Sequence, residues 1–137
     1  MAAVYVLMGA LVFGGVAQVG SYAGTVSVEV REDSTKEALR TAYIKGMLLG
    51  YDSGYYSKDS RVLEFHRREQ DFHLRMDLYI RVELDTTGDL PVIRMTGEDR
   101  EYAGEEWQIM QDMKRIAAEL EECCGVRRPV DEGETDR

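Results

Sequence analysis

No charged side chain occurs between Met1 and Val28, and the first 17 residues, MAAVYVLMGALVFGGVA, are almost entirely apolar. Water does not tolerate such a stretch standing free, so this end of the chain belongs in a membrane, in a secretion channel or inside a core. Basic charge is also short, with 17 Lys and Arg against 26 Asp and Glu and a net charge of −9. No Lys/Arg cluster offsets that deficit, which argues against nucleic acid as a partner. The only two cysteines, Cys123 and Cys124, are adjacent. That spacing excludes a disulfide framework. Neighbouring helical side chains diverge by about 100°, so no bridge between them is expected, and the pair reads as one buried and one half-exposed thiol at a helix end, with an intermolecular disulfide or a thiolate metal site as the functional alternative. Catalytic signatures are missing as well. There is no G-x-S-x-G elbow, no H-E-x-x-H and no Walker loop, and Gly14-Gly15 has no Lys-Ser/Thr after it to cradle phosphate. No cofactor is implied.

The apolar leader, residues 1–23, has three readings. As a secretory signal it has the apolar run and two small-x-small cleavage sites, after Ala17 and after Ala23, but no basic n-region. As a retained anchor, Ala2 to Val19 just reaches the roughly 20 apolar residues that a bilayer requires. As a core element it would complete the fold of the domain that follows. Export or anchoring is the preferred reading of the three. Beyond the leader, residues 24–125 are of the size of one domain, and residues 126–137 read as a disordered polar tail.

Within the domain, Gly24 to Val30 alternates with period two and predicts a strand. Ser34-Thr35-Lys36-Glu37 has the pattern of a capping box, and Ala38, Leu39, Ala42, Tyr43, Gly46, Met47 and Gly50 give the apolar stripe of a helix that stops at Gly50. YDSGYYSKDS is rich in turn residues, with an edge strand expected around Tyr55 and Tyr56. The clearest signal runs from Phe72 to Asp85, where Phe72, Leu74, Met76, Leu78, Ile80, Val82 and Leu84 alternate without a break with polar residues and Tyr79. Seven apolar residues in strict period two make a long strand with one dry and one wet face. Asp85 to Asp89 is a loop, Pro91 to Thr96 the returning strand, and Ala103, Trp107, Met110, Met113, Ala117, Leu120 and Cys124 the stripe of a second helix. These elements predict an α+β, two-layer sandwich: an antiparallel sheet of about four to five strands with two helices packed on one face, in the order β-α-β-β-β-α.

An apolar leader joined to a first strand, a helix ending in Leu49-Gly50-Tyr51, a meander of strands and a final helix together resemble the small bacterial envelope lipoproteins of unknown function. The resemblance implies an exported, non-catalytic domain. It departs from that family at the lipid-attachment box, where Leu11 to Ala17 carries Val16 in place of the acylated cysteine.

Two constellations stand out. With a hairpin turn at Glu69-Gln70, His66 would lie opposite His73 and Glu64 opposite Arg75, and the only two histidines of the chain with Glu64 would form a candidate metal site. Tyr51, Tyr55 and Tyr56 around Gly54 form an aromatic cluster able to bind a partner by strand addition, or to cap the end of the core. The function expected first is an envelope-associated interaction module, exported or held at the membrane by its N-terminal segment, that binds a protein or cell-wall partner. A metal-binding or enzymatic domain built on His66 and His73 is the competing class. A cytosolic, self-associating homo-oligomer with the leader in its core is the third. The expected outcome for a chain starting at Gly24 is solubility and cooperative thermal unfolding like that of the full chain; an unfolded product would instead put the leader in the core.

Overall fold

Burial of one sheet face under two helices organises the chain. A computed structural model describes residues 21–56, 61–70, 73 and 75–126. In order these form β1 (Ser21–Glu29), a 3-10 turn (Glu32–Ser34), α1 (Thr35–Leu48), β2 (Asp52–Tyr56), β3 (Val62–Gln70), β4 (Arg75–Asp85), β5 (Val92–Asp99) and α2 (Glu106–Cys124). The five strands make one antiparallel sheet in the order β1-β5-β4-β3-β2. The expected α+β fold, an antiparallel sheet with two helices, is therefore present; the edge strand expected around Tyr55 and Tyr56 is β2, so four strands lie between the helices where the expected element order counted three. β1 begins at Ser21, three residues before the strand read from Gly24, and Ser21 and Tyr22 pair with Asp99 and Glu98. Among the described residues no helix is long and apolar enough to cross a membrane. The apolar segment 1–20 and the polar tail from 127 lie outside the described residues.

The dry face of the sheet is set by the strand alternation. Leu63 and Phe65 of β3, Leu78, Ile80 and Val82 of β4, Ile93 and Met95 of β5 and Val28 of β1 are all buried. Against them α2 lays Ile109, Met113, Ile116, Ala117 and Leu120, and α1 lays Ala38, Leu39 and Ala42. The stripe of α2 differs from the one predicted. Trp107 is 71% exposed, and Ile109 and Ile116 point inward. The helix begins only at Glu106, and residues 109, 113, 116 and 120 form a self-consistent period of three and four that leaves position 107 on the outside. Likewise Met47 of α1 is exposed.

Two glycines set how closely the helices approach. A Cβ on Gly97 of β5 would collide with Cγ2 of Ile109, and one on Gly46 of α1 would lie 2.7 Å from the Phe65 ring. Gly50 stops α1 with a φ of 98°, a left-handed conformation that side chains disfavour.

The start of α1 does not use the capping box. Ser34 makes no side-chain cap to the helix. Its hydroxyl instead lies 3.1 Å from Nη2 of Arg31, as acceptor, and 3.2 Å from Asp33. Arg31 is committed to the other end of the chain: its guanidinium donates to the carbonyls of Cys123 and Gly125, each at 3.0 Å, and its amide donates to the Cys124 carbonyl at 2.9 Å. These contacts satisfy the carbonyls that a helix leaves open at its C-terminus, and they place a cation at the negative end of α2. Val30 and Gly125 add an antiparallel bridge beside them. Contrary to the expectation of two separate thiols, Cys123 and Cys124 are joined as a disulfide. The pair forms the last two residues of α2, directly before Gly125, which leaves the helix in an extended conformation.

Replacing Gly97 with Ala is expected to destabilise the domain by about 1–3 kcal/mol, the usual cost of overpacking. Gly88, where an added Cβ meets nothing within 4 Å, is the control and should change little. Urea unfolding of both variants measures the difference, and equal midpoints would sink the close-packing account.

Candidate functional site

The second face of the sheet carries the polar alternates of the same strands. Register decides which of them meet. β3 and β4 pair so that Leu63 faces Val82, Glu64 faces Arg81, Phe65 faces Ile80 and His66 faces Tyr79, with Gln70 opposite Arg75 at the hairpin end. The hairpin thus closes beyond Gln70 and not at Glu69-Gln70. This corrects the expected pairing of His66 with His73 and of Glu64 with Arg75. Alternation fixes the face of a residue but not its partner. A hairpin slid so that every facing pair changes by an even number keeps Leu63 and Phe65 equally dry. His66 lies four residues, about 13 Å, from the hairpin end to which His73 belongs. The register thus gives His66 and Glu64 the cross-strand partners Tyr79 and Arg81.

Tyr79 takes the central place instead. It belongs to the open face, yet it is only 8% exposed. The Arg100 guanidinium carbon lies 3.7 Å above the ring centroid, and the His66 ring meets it edge-on with centroids 5.0 Å apart. The phenol donates to Oε2 of Glu64 at 2.7 Å, and Nη1 of Arg81 donates to the same oxygen at 3.0 Å. Around this centre the charges interlock. Arg81 reaches Glu83 at 3.3 Å, Arg100 reaches Glu98 at 3.1 Å, and Arg94 reaches Asp85 at 3.1 Å. Asp77 stands between His66 at 3.4 Å and Arg68 at 3.6 Å.

Burial, and next the hydrogen bond to Glu64 and the charge of that carboxylate, push the Tyr79 phenol up to about 12, against the opposing pull of Arg81 and Arg100. At neutral pH it is a fixed donor and not a base. Asp85, in the β4–β5 turn, is held down at about 2, first by the Thr87 hydroxyl and amide and then by Arg94. Next to Asp77, at the end of the β3–β4 hairpin, lies a depression of about 360 Å³ lined by Arg68 and Arg75 of the polar face, Glu69 and Met76 of the other, and Glu101.

The aromatic cluster divides. Tyr51 is 1% exposed, so it is part of the core and not an exposed partner-binding residue. Its hydroxyl donates to Oδ2 of Asp112 at 2.9 Å, while Gln108 donates to Oδ1 of the same carboxylate at 2.9 Å. Burial, followed by the Asp112 charge, raises the Tyr51 phenol well above the ordinary tyrosine range. Tyr55 pairs with Glu64 and Tyr56 with Leu63 along β2; their side chains lie outside the described residues.

Sequence reasoning placed Tyr79, Asp77 and Arg81 on the wet side of β4, and so named the surface without naming its centre. Asp112 and Arg100 had no local signal. One is an acidic residue within an amphipathic helix, and the other lies past the end of the predicted strand. The chain matches no protein-family model and no curated protein sequence, so the site is read from its own residues.

A consequence for stability follows from Tyr79. The phenol ionises near 10 in the unfolded chain and at about 12 in the folded one. Between those values the folded state holds more protons, so the Tyr79 contribution is complete below about pH 10 and is lost as pH rises through the folded pKa. Urea unfolding at about pH 9 and about pH 11 should show a smaller alkaline loss for Tyr79→Phe than for the native chain. Identical losses would mean that the phenol is not perturbed.

Proposed function

We propose that this protein is a non-catalytic interaction module of the cell envelope, exported or held at the membrane by its apolar N-terminal segment, and that the open sheet face binds a protein or cell-wall partner. The observation that carries the reading is the Tyr79-centred network: an open surface on which His66, Arg81, Arg94 and Arg100 each face a carboxylate and the buried Tyr79 side chain is fixed as a donor. Interfaces enriched in Tyr and Arg, with their charges already ordered, present complementarity at little conformational cost. The depression beside Asp77 offers a place for one protruding group of the partner. Supporting the location are the 28 uncharged residues at the N-terminus, the two cleavage-like sites and the resemblance of the element order to envelope lipoproteins.

Two measurements test it. In cells of the source organism, the full chain should fractionate with the envelope, and recovery wholly in the cytosol would remove the location from the proposal. A photo-crosslinking residue at Thr96, which lies between Arg81 and Thr25 on the open face, should give a discrete adduct, whereas the same group at the exposed Lys36 of α1 should not. Arg100→Glu should weaken adduct formation at least about tenfold, as expected of a hot-spot residue. Equal adducts at both positions, or an adduct indifferent to Arg100→Glu, would count against the open face.

A further inference from the structure

The end of α2 carries chemistry that the open face does not use. Cys123 and Cys124 lie against the first turn of α1, and a carboxylate oxygen of Glu37 lies within 4.8 Å of both sulfurs. Cys124 is fully buried and Cys123 partly so, while Glu37 is exposed. The three donors therefore come from the two helices, Glu37 near the start of α1 and the cysteines at the end of α2, and the outward side of the group, at Glu37, is exposed.

From this geometry we infer that Cys123, Cys124 and Glu37 form a redox-gated site for a thiophilic divalent cation of the zinc type. In the disulfide form the sulfurs are bonded to each other and neither is a thiolate, so the site is closed. A cellular dithiol opens it: the S–S bond takes up two electrons and two protons while the dithiol closes to its own disulfide. The cation then displaces the two thiol protons, leaving two thiolates, the Glu37 carboxylate and a water as four ligands, the number and donor types that zinc takes. Two thiolates with one carboxylate favour a borderline-soft ion over magnesium or calcium, which prefer an all-oxygen shell.

The surrounding structure keeps the donors in place when the disulfide opens. Arg31 holds the carbonyls of Cys123, Cys124 and Gly125 through its guanidinium and its amide, and the Val30–Gly125 bridge fixes the chain on the far side of the pair. None of these contacts involves sulfur, so reduction frees the ligands without freeing the backbone. An oxidising compartment keeps the site closed, and exposure to a dithiol makes the chain a metal binder.

The test is a competition titration of Zn²⁺ between the full chain and a chromophoric chelator, with the chain fully reduced and fully oxidised, alongside circular dichroism to follow the fold. The reduced chain should bind one equivalent with the release of two protons, and the oxidised chain should bind none at the same concentrations. Cys123→Ser should abolish binding. Glu37→Gln, which changes an exposed residue and leaves the fold intact, should weaken binding at least about tenfold, the scale on which even outer-shell partners act. Replacing Zn²⁺ by Co²⁺ should give a thiolate-to-cobalt charge-transfer band in the reduced chain alone. Equal binding in both redox states would overturn the proposal, as would unchanged binding after Glu37→Gln. Binding that survives Cys123→Ser and is lost in a chain lacking His66 and His73 would move the metal to the histidines and overturn it equally.

Discussion

A sheet with one dry face must be covered from one side only, and that constraint governs the rest of this structure. β1 pairs with β5 at one edge and β2 with β3 at the other, so the segment between β1 and β2 has to carry the chain across the whole sheet. α1 makes that crossing, and it does so on the dry side because only there does its small-residue stripe of Ala38, Ala42 and Gly46 find apolar partners. α2 fills the remainder. Both helices come close to the strands where a side chain is missing, Gly46 above Phe65 and Gly97 beneath Ile109. Side-chain volume is thus removed where the layers meet, and the core closes without displacing the strands.

Among the described residues, the buried polar side chains Ser34, Asp99 and Asp112 each have hydrogen-bond partners. Asp99, fully buried at the end of β5, accepts from the amides of Ala103 at 3.0 Å and Glu105 at 2.9 Å and so shapes the turn into α2. Asp112 does the same for side chains, taking the Tyr51 phenol and the Gln108 amide. Each carboxylate would be costly in the core alone; each is retained because several donors converge on it. On the opposite side of the sheet the same chemistry is spread over an open surface. Tyr79 there has no covering helix, and its burial comes from the stems and rings of its own neighbours, Arg100 and His66. Long side chains that lie along an aromatic ring while keeping their charged ends in ion pairs make a surface that is both ordered and wet.

The junction near Arg31 joins the first strand, the first turn of α1 and the last turn of α2. A single guanidinium closes a loop of 94 residues there and completes the C-terminus of α2. It also explains why Ser34 gives up its capping role, since the hydroxyl serves as an acceptor for Arg31. Local capping logic reads only four residues and had no way to include a partner at the other end of the chain.

Much of the architecture was legible in the residues. Unbroken alternation through Met76, Leu78, Ile80 and Val82, and the three-and-four spacing of Ala38, Leu39 and Ala42, dictate strand and helix because each period has only one backbone that puts its apolar members on one side. The site was half legible, since the polar alternates of β4 were assigned to the wet face without their partners. What tertiary structure alone decided is register and long-range pairing: His66 against Tyr79 instead of His73, Trp107 outside and Ile109 inside, Tyr51 beneath Asp112, and the two sulfurs beside Glu37. The physical reason is the same in each case. A period specifies a face, and every even slide of a strand or small rotation of a helix preserves much of that face; only the packing of the whole dry surface selects one of them.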